Sequence, residues 1–463
     1  MVTSSDLAWK KPKTLNCSHC EMKPTRLHLQ CSHQEPDRVL TRYECELSHQ
    51  KLNNDDDDNA QCIAYWKDDV ARYAMNVMLA IVLNSSNVTI QQKTRQLLLR
   101  LANNNKTLPS SVFLEGSNFD TLHPQSAGGF GEVYRTTYGE TTVAAKRLIQ
   151  THGQDNEDEK RWRSYYEALM WKTLKHERLL PLSGIIKMEQ EYFITSPWHC
   201  DGNSGTFLID MVRFHERYRW GRFYQLFVYR WLLQVVQGLQ HLHEQGVVHG
   251  DLHPGNVIFV NRRPNEKDHL EFDIVLVDFG LSVIREANSN QRRSTRGGAV
   301  LAPEQMPFEL DPRPGRPTAE SDIFMFAALC FQLYTTLPIY PAIGMYNKER
   351  AVSVLKPLDR EVTVSVPGGN APVVIPDELW EIIERCWTVA EDRPSLDWFE
   401  ERLKAIQGSP SSELLSRLRF VASIYFRKTV HMVIVATIPK MVFVTVLLDN
   451  NTRQFQALNL NLL

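Results

Sequence analysis

Between Val248 and Phe259 the chain turns from apolar to polar and back: Val248-His-Gly-Asp-Leu-His-Pro-Gly-Asn-Val-Ile-Phe259. The apolar ends read as short buried runs, and Pro254-Gly255 turns the loop between them. That loop holds His249, Asp251 and Asn256. A carboxylate and an amide five residues apart can divide two jobs. Asp251 can accept or orient a hydroxyl proton. Asn256 can ligate a hard cation through oxygen. Further along, Ile274-Val-Leu-Val-Asp-Phe-Gly280 is a buried strand delivering Asp278, whose carboxylate suits Mg2+ on phosphates, with Gly280 free to turn sharply.

Upstream lie three more features. Ser126-Ala-Gly-Gly-Phe-Gly-Glu-Val-Tyr134 is glycine-rich, so backbone N–H groups can approach phosphate oxygens with no Cβ in the way. Its Gly128, Gly131 and Val133 match G-x-G-x-x-G-x-V, and Ser126 stands at the first glycine. Val143-Ala-Ala-Lys146 places one ammonium at the end of a strand, one hairpin after that loop. Glu167, on the helix that follows, can hold the ammonium in place.

The coarse pattern is β-rich and then helix-rich, which predicts an α+β fold in two lobes. Val133-Tyr134 and Thr141–Ala145 read as strands turning at Tyr138-Gly139-Glu140. Residues 158–175 read as a helix with Tyr166, Leu169, Met170 and Leu174 on one face. Arg230–His243, Ile323–Leu333 and Leu379–Cys386 read as further helices. Before all of these, residues 62–103 predict a helix pair. Val70, Tyr73, Val77 and Ile81 form one stripe, Ile90, Leu97, Leu98 and Leu101 the other, with an N-cap from Asn84-Ser-Ser-Asn87. The pair is expected to pack on the main domain or on a partner.

The 463 residues carry 52 Lys and Arg against 54 Asp and Glu, a net charge of −2, which speaks against a nucleic-acid binder. Hydrophobic residues at 43% are ordinary for a globular chain. The start has no apolar h-region, so an intracellular, cytoplasmic setting with reduced thiols is expected. The sequons at Asn84 and Asn105 are then chance matches. Thr429–Leu448 is apolar and β-branched, but His431, Pro439 and Lys440 interrupt it. A central Lys costs roughly 2.5–3.5 kcal/mol on insertion, so a membrane span is not the expected state.

Taken in order, these motifs resemble the eukaryotic-type protein kinase superfamily from about Val112 to Gln407. The set is similar to V-A-I-K, H-R-D-L-x-x-x-x-N, D-F-G and A-P-E, the last matched by Leu301-Ala-Pro-Glu304. Ser321-Asp322 and Glu391-Asp-Arg-Pro394 match later landmarks. Leu174-Lys-His-Glu-Arg-Leu-Leu-Pro-Leu-Ser-Gly184 resembles tyrosine-kinase-like Ser/Thr kinases, of the kind expanded in mushroom-forming fungi. The resemblance implies a bilobal fold: a small N-lobe of antiparallel sheet plus one helix (about 112–198) and a larger helical C-lobe (about 199–407). A polar arm (1–60), a helical extension (61–108) and a tail (408–463) flank it.

The resemblance also implies ATP and Mg2+ as cofactors and a protein substrate. Lys146 would meet the α- and β-phosphates and pair with Glu167, Asp251 would be the catalytic base, and Asn256 and Asp278 would hold Mg2+. The nucleotide would lie against Ser126, Gly128, Gly129, Phe130, Gly131, Val133 and Ala144. Ser196 would be the gatekeeper and Pro197–Cys200 the hinge, with Trp198 and His199 beside adenine. Pro197 has no N–H, so hinge donors must come from later residues. Glu304 and Arg393 would form a buried ion pair.

Two departures bear on activity. Gly250 replaces an Arg that normally pairs with a phosphorylated activation loop, although Ser294 and Thr295 remain candidate phosphosites. His253 replaces a Lys that contacts the γ-phosphate, and a neutral imidazole offers one hydrogen bond with no fixed charge, so slower turnover is expected. The motif Asp-Leu-x-Pro-x-Asn leans to Ser/Thr acceptors. Two rival readings are a nucleotide-binding pseudokinase scaffold and a small-molecule phosphotransferase, the latter opposed by Ala302-Pro-Glu304 and Asp392-Arg-Pro394.

Cys17, Cys20, Cys31 and His33 give C-x2-C-x10-C-x-H, a candidate zinc set. The spacing fits no common finger and lacks a second Cys pair, so a polar arm with scattered thiols is the favoured reading.

Overall fold

The computed structural model describes residues 67–114, 123–128, 131–147, 157–188, 191–199, 222–261, 272–279, 283–284, 301–305, 315–337, 360–366 and 369–407. The Cys/His arm with Cys17, Cys20, Cys31 and His33, the loop-tip residues Gly129 and Phe130, Gly280, Ser294, Thr295 and the tail with 429–448 lie outside them.

Five strands form one antiparallel sheet in the order β1-β2-β3-β5-β4. They are β1 (His123–Gly128), β2 (Gly131–Tyr138), β3 (Thr141–Arg147), β4 (Gly184–Met188) and β5 (Glu191–Pro197). Gly128 pairs with Gly131 at the tip of the β1–β2 hairpin. Gly139 closes the β2–β3 turn at φ +59°, a left-handed conformation that side chains other than glycine resist. Helix α3 (Glu157–Lys172) crosses beside the sheet and buries Ala168, Leu169 and Met170. Tyr166, expected on that buried face, is only half-buried.

The second part is built on α4 (Arg222–Glu244) and α5 (Ala319–Thr335). Val228, Leu232, Val235, Val236, Leu239 and Leu242 of α4 are buried, at the spacing one helix face dictates. α5 is buried nearly all round, so polar and apolar positions do not alternate along it. Its start is fixed by a reciprocal cap: Ser321 N–H donates to Thr318 Oγ1 (3.1 Å) and Thr318 N–H to Ser321 Oγ (3.0 Å). Short pairs β6 (Val247–Val248) with β9 (Val283–Ile284), and β7 (Val257–Asn261) with β8 (Phe272–Leu276), bracket the loops of interest. Helices α6 (Asp377–Cys386) and α7 (Leu396–Gln407) complete this part, α7 packing on α4. The chain is thus α+β, with an antiparallel-sheet lobe, a helical lobe and a helical extension before them.

One expectation needs correcting. The extension forms α1 (Asp68–Asn84) and α2 (Val88–Asn105), with Asn87 capping α2 through Ile90 N–H at 3.1 Å. The buried apolar residues of α1 are Ala71, Ala74, Met75, Met78, Leu79, Ile81 and Val82, while Tyr73 and Val77 are half-buried. α1 is apolar over most of its surface, so spacing alone does not set which face turns inward. A hairpin of β10 (Glu361–Val366) and β11 (Gly369–Val374) lies between α5 and α6 in the otherwise helix-rich part.

Candidate active site

Strand register places several of the marked residues together. In antiparallel pairs, opposed residues share a face. Val133 opposes Lys146, and Ala144 opposes Ser196, while Ala144 and Lys146 sit two apart on β3. Val133, Ala144, Lys146 and Ser196 therefore line one face of the sheet.

From that face Lys146 Nζ reaches Asp278 Oδ2 at 3.2 Å and Glu167 Oε1 at 3.5 Å. Three elements far apart in the chain meet here. Burial alone would depress the ammonium's pKa, but Glu167 and Asp278 outweigh it and hold Lys146 above the ordinary lysine value. Burial raises the Glu167 carboxyl, against the pull of Lys146. Asp278 is one of the few non-glycine residues with positive φ, at +63°. That strain is offset where the side chain meets Lys146.

The loop from His249 to Asn256 is pinned from below by Asp322, which is fully buried on α5. Its Oδ2 accepts from His249 N–H (2.8 Å) and its Oδ1 from Gly250 N–H (2.8 Å). His243 Nε2 also lies 2.8 Å from Oδ2. Gly250 sits at φ +77°, so a side chain there would be strained as well as buried. Asn256 Nδ2 donates to Asp251 O (2.8 Å) and lies 3.3 Å from Asp251 Oδ2. A carbonyl can only accept, so the amide orientation is fixed and Asn256 Oδ1 faces the other way. Asp251 is 2% exposed, and its Oδ1 has no hydrogen-bond partner among the described residues.

His253 has a second use. Its Nδ1 accepts from Gly255 N–H at 3.0 Å, capping the turn Pro254–Asn256 that presents Asn256. With Nδ1 accepting, Nε2 carries a proton, and it lies 3.8 Å from Asp251 Oδ2.

Two backbone links tie this loop to the Asp278 segment. Val277 N–H donates to Asn256 O (3.0 Å), and His249 Nε2 lies 3.2 Å from Val277 O. Burial lowers the pKa of His249, so the ring is neutral and Nε2–H is the donor. Phe279 is buried between rings, 5.6 Å from His249 and 5.9 Å from Trp171. Trp171 was not singled out from sequence. Its position one helical turn after Glu167 is the signal that could have found it.

At the end of β5, Ser196 is buried and Trp198 N–H donates to Thr142 O at 3.2 Å. That N–H is spent within the sheet. Arg135 stacks over the Trp198 ring at 5.8 Å. Glu304 and Arg393 form a fork-to-fork pair at 2.6 and 2.9 Å. It is buried on one side only: the Arg393 side chain is 0% exposed and that of Glu304 30%.

Against known families, the description "Protein tyrosine and serine/threonine kinase" matches residues 122–403. The chain belongs to the protein kinase family. The chain is 27% identical to the dual specificity protein kinase zakA of Dictyostelium discoideum, over 56% of the chain and 31% of that protein. It is 26% identical to the tyrosine-protein kinase csk-1 of Caenorhabditis elegans, over 65% of the chain and 49% of that protein. It is 25% identical to human receptor-interacting serine/threonine-protein kinase 1, over 64% of the chain and 41% of that protein. The chain thus spans between about a third and a half of the length of these relatives. No helix among the described residues is long and apolar enough to cross a membrane.

Proposed function

We propose that the chain transfers the γ-phosphoryl group of ATP to a protein hydroxyl, that of serine or threonine. The observation that carries this reading is Lys146, held by Glu167 and Asp278 from separate elements on the face that Val133, Ala144 and Ser196 share. A charge fixed in this way costs little to reorganise when phosphates arrive, which is what phosphoryl transfer asks of a protein.

Asp251 is the base in this reading. A buried carboxylate oxygen left without a partner is costly, and a substrate hydroxyl donating to Oδ1 would relieve that cost. Asn256 Oδ1 and the Asp278 carboxylate are hard oxygen donors, the chemistry Mg2+ selects, and they are the residues that would hold it. When bound, the ion neutralises charge on the phosphates. His253 Nε2, 3.8 Å from Asp251 Oδ2, is placed to donate to a phosphoryl oxygen.

The test is transfer of 33P from ATP with Mg2+ onto a peptide array carrying Ser, Thr and Tyr acceptors, using the full chain and Asp251→Ala. The expected result is label on Ser and Thr peptides that falls at least about a hundredfold in the variant. Equal signal from both proteins would overturn the reading and favour a nucleotide-binding scaffold. Label confined to Tyr peptides would overturn the acceptor class.

A further inference from the structure

Arg95 of α2 is 2% exposed, and no carboxylate among the described residues pairs with it. A buried guanidinium without a counter-ion is costly, and burial lowers its pKa to about 10. Its partners explain its place. Arg95 Nε donates to Thr173 Oγ1 (3.0 Å) and NH2 to Thr173 O (3.3 Å). NH1 donates to Gln245 O (2.9 Å) and NH2 to Gln245 Oε1 (2.8 Å).

Thr173 directly follows α3, the helix that carries Glu167. Gln245 directly follows α4, four residues before His249. Arg95 therefore caps the C-termini of two helices at once, and the negative ends of their dipoles stand in for a carboxylate. The extension also grips α3 near its other end, where Trp162 Nε1 donates to Asn103 Oδ1 (2.9 Å) and Lys106 Nζ lies 5.2 Å over the Trp162 ring. Gln245 Nε2 donates to Gln91 Oε1 (2.7 Å), and Gln92 bonds Glu244 O. The neighbouring rings His176 and His241 stack at 4.4 Å, and burial, with His176 and Arg95, lowers the pKa of His241 to about 4, so the His241 ring adds no charge there at neutral pH.

We infer that Arg95 is a positioning residue: through it the α1–α2 extension fixes the Glu167 helix relative to the loop that carries Asp251. This inference rests on the transferase reading for its effect on rate, though not for its effect on motion. In the sequence Arg95 is one of two arginines in α2, and nothing local to the helix marks it rather than Arg100 for burial. Its burial becomes visible only when two helix ends from elsewhere in the chain converge on it.

The experiment compares the full chain with Arg95→Met and Arg95→Lys, each assayed well below its melting temperature, and with Ile375→Val as a destabilised control remote from Arg95. Arg95→Met should lower kcat at least about tenfold, because small misplacements of catalytic groups are costly, while KM for the peptide stays within about twofold. Arg95→Lys should fall between, and Ile375→Val should keep the wild-type kcat. If Arg95→Met does not fold, Gln245→Ala, which removes one acceptor from the other side, should show the same split at smaller size.

Hydrogen exchange is read in parallel. Arg95→Met should speed amides 168–174 and 245–248 over the rest of the chain. If the wild type transfers no more phosphate than Asp251→Ala, the transferase reading fails and exchange alone decides the inference. Unchanged kcat with unchanged exchange, or a kcat loss matched by Ile375→Val, would overturn the positioning role.

Discussion

Asp278→Asn should lower kcat/KM for phosphoryl transfer by about a thousandfold or more while the protein stays folded. The substitution keeps the shape of the side chain, and Asn tolerates the left-handed conformation that Asp278 adopts. It removes the carboxylate that faces Lys146 at 3.2 Å, leaving Glu167 at 3.5 Å as the remaining anionic partner among the contacts described. It also removes a charged oxygen donor from the pair that would hold Mg2+. Charge stabilisation of this kind supplies several kcal/mol, and each ~1.4 kcal/mol is a factor of ten in rate. Steady-state kinetics with melting as the control checks this. A loss below about tenfold in a folded variant would mean that Asp278 is not at the reacting phosphate.

Arg393→Ala should cost about 3–5 kcal/mol of stability. The guanidinium is wholly buried and spends its donors on Glu304 at 2.6 and 2.9 Å, Glu320 O at 2.8 Å and Thr388 O at 3.2 Å. It also lies 5.2 Å over the Phe324 ring. Removing it leaves the Glu304 carboxylate and two carbonyls short of a partner and opens a void beside α5. Glu304 is partly exposed, and water can reach it, so Glu304→Ala should cost more than Arg393→Ala, because it strands the buried charge rather than the wet one. For a domain whose whole stability is about 5–15 kcal/mol, either change is a large share. Urea unfolding measures it. A loss under about 1 kcal/mol would show that the pair contributes little beyond its place in the loop.

The strands around Lys146 and the helix of Glu167 were legible because their periods differ and turns punctuate them. The loop with Asp251 and Asn256 was legible because apolar runs bracket it. What sequence could not carry is convergence. Nothing local in α2 says that Arg95 will find Thr173 and Gln245, or that Asp322 will clamp the backbone at His249 and Gly250. The left-handed turn of Asp278 is likewise imposed by its surroundings, since its residue type does not demand it. The hairpin of Glu361–Val374 does leave a signal, valines at 362, 364 and 366 in period two. In α1 the failure has a different cause: with Ala and Met on most sides, amphipathicity does not choose a face.

The most direct measurement is a single turnover, with the full chain in excess over 33P-labelled ATP, Mg2+ and an acceptor peptide, followed by phosphoamino-acid analysis. The account predicts that label leaves ATP for phosphoserine or phosphothreonine in one phase and that chelating Mg2+ stops it. ATP that binds yet keeps its label, with no phosphopeptide formed, would contradict it.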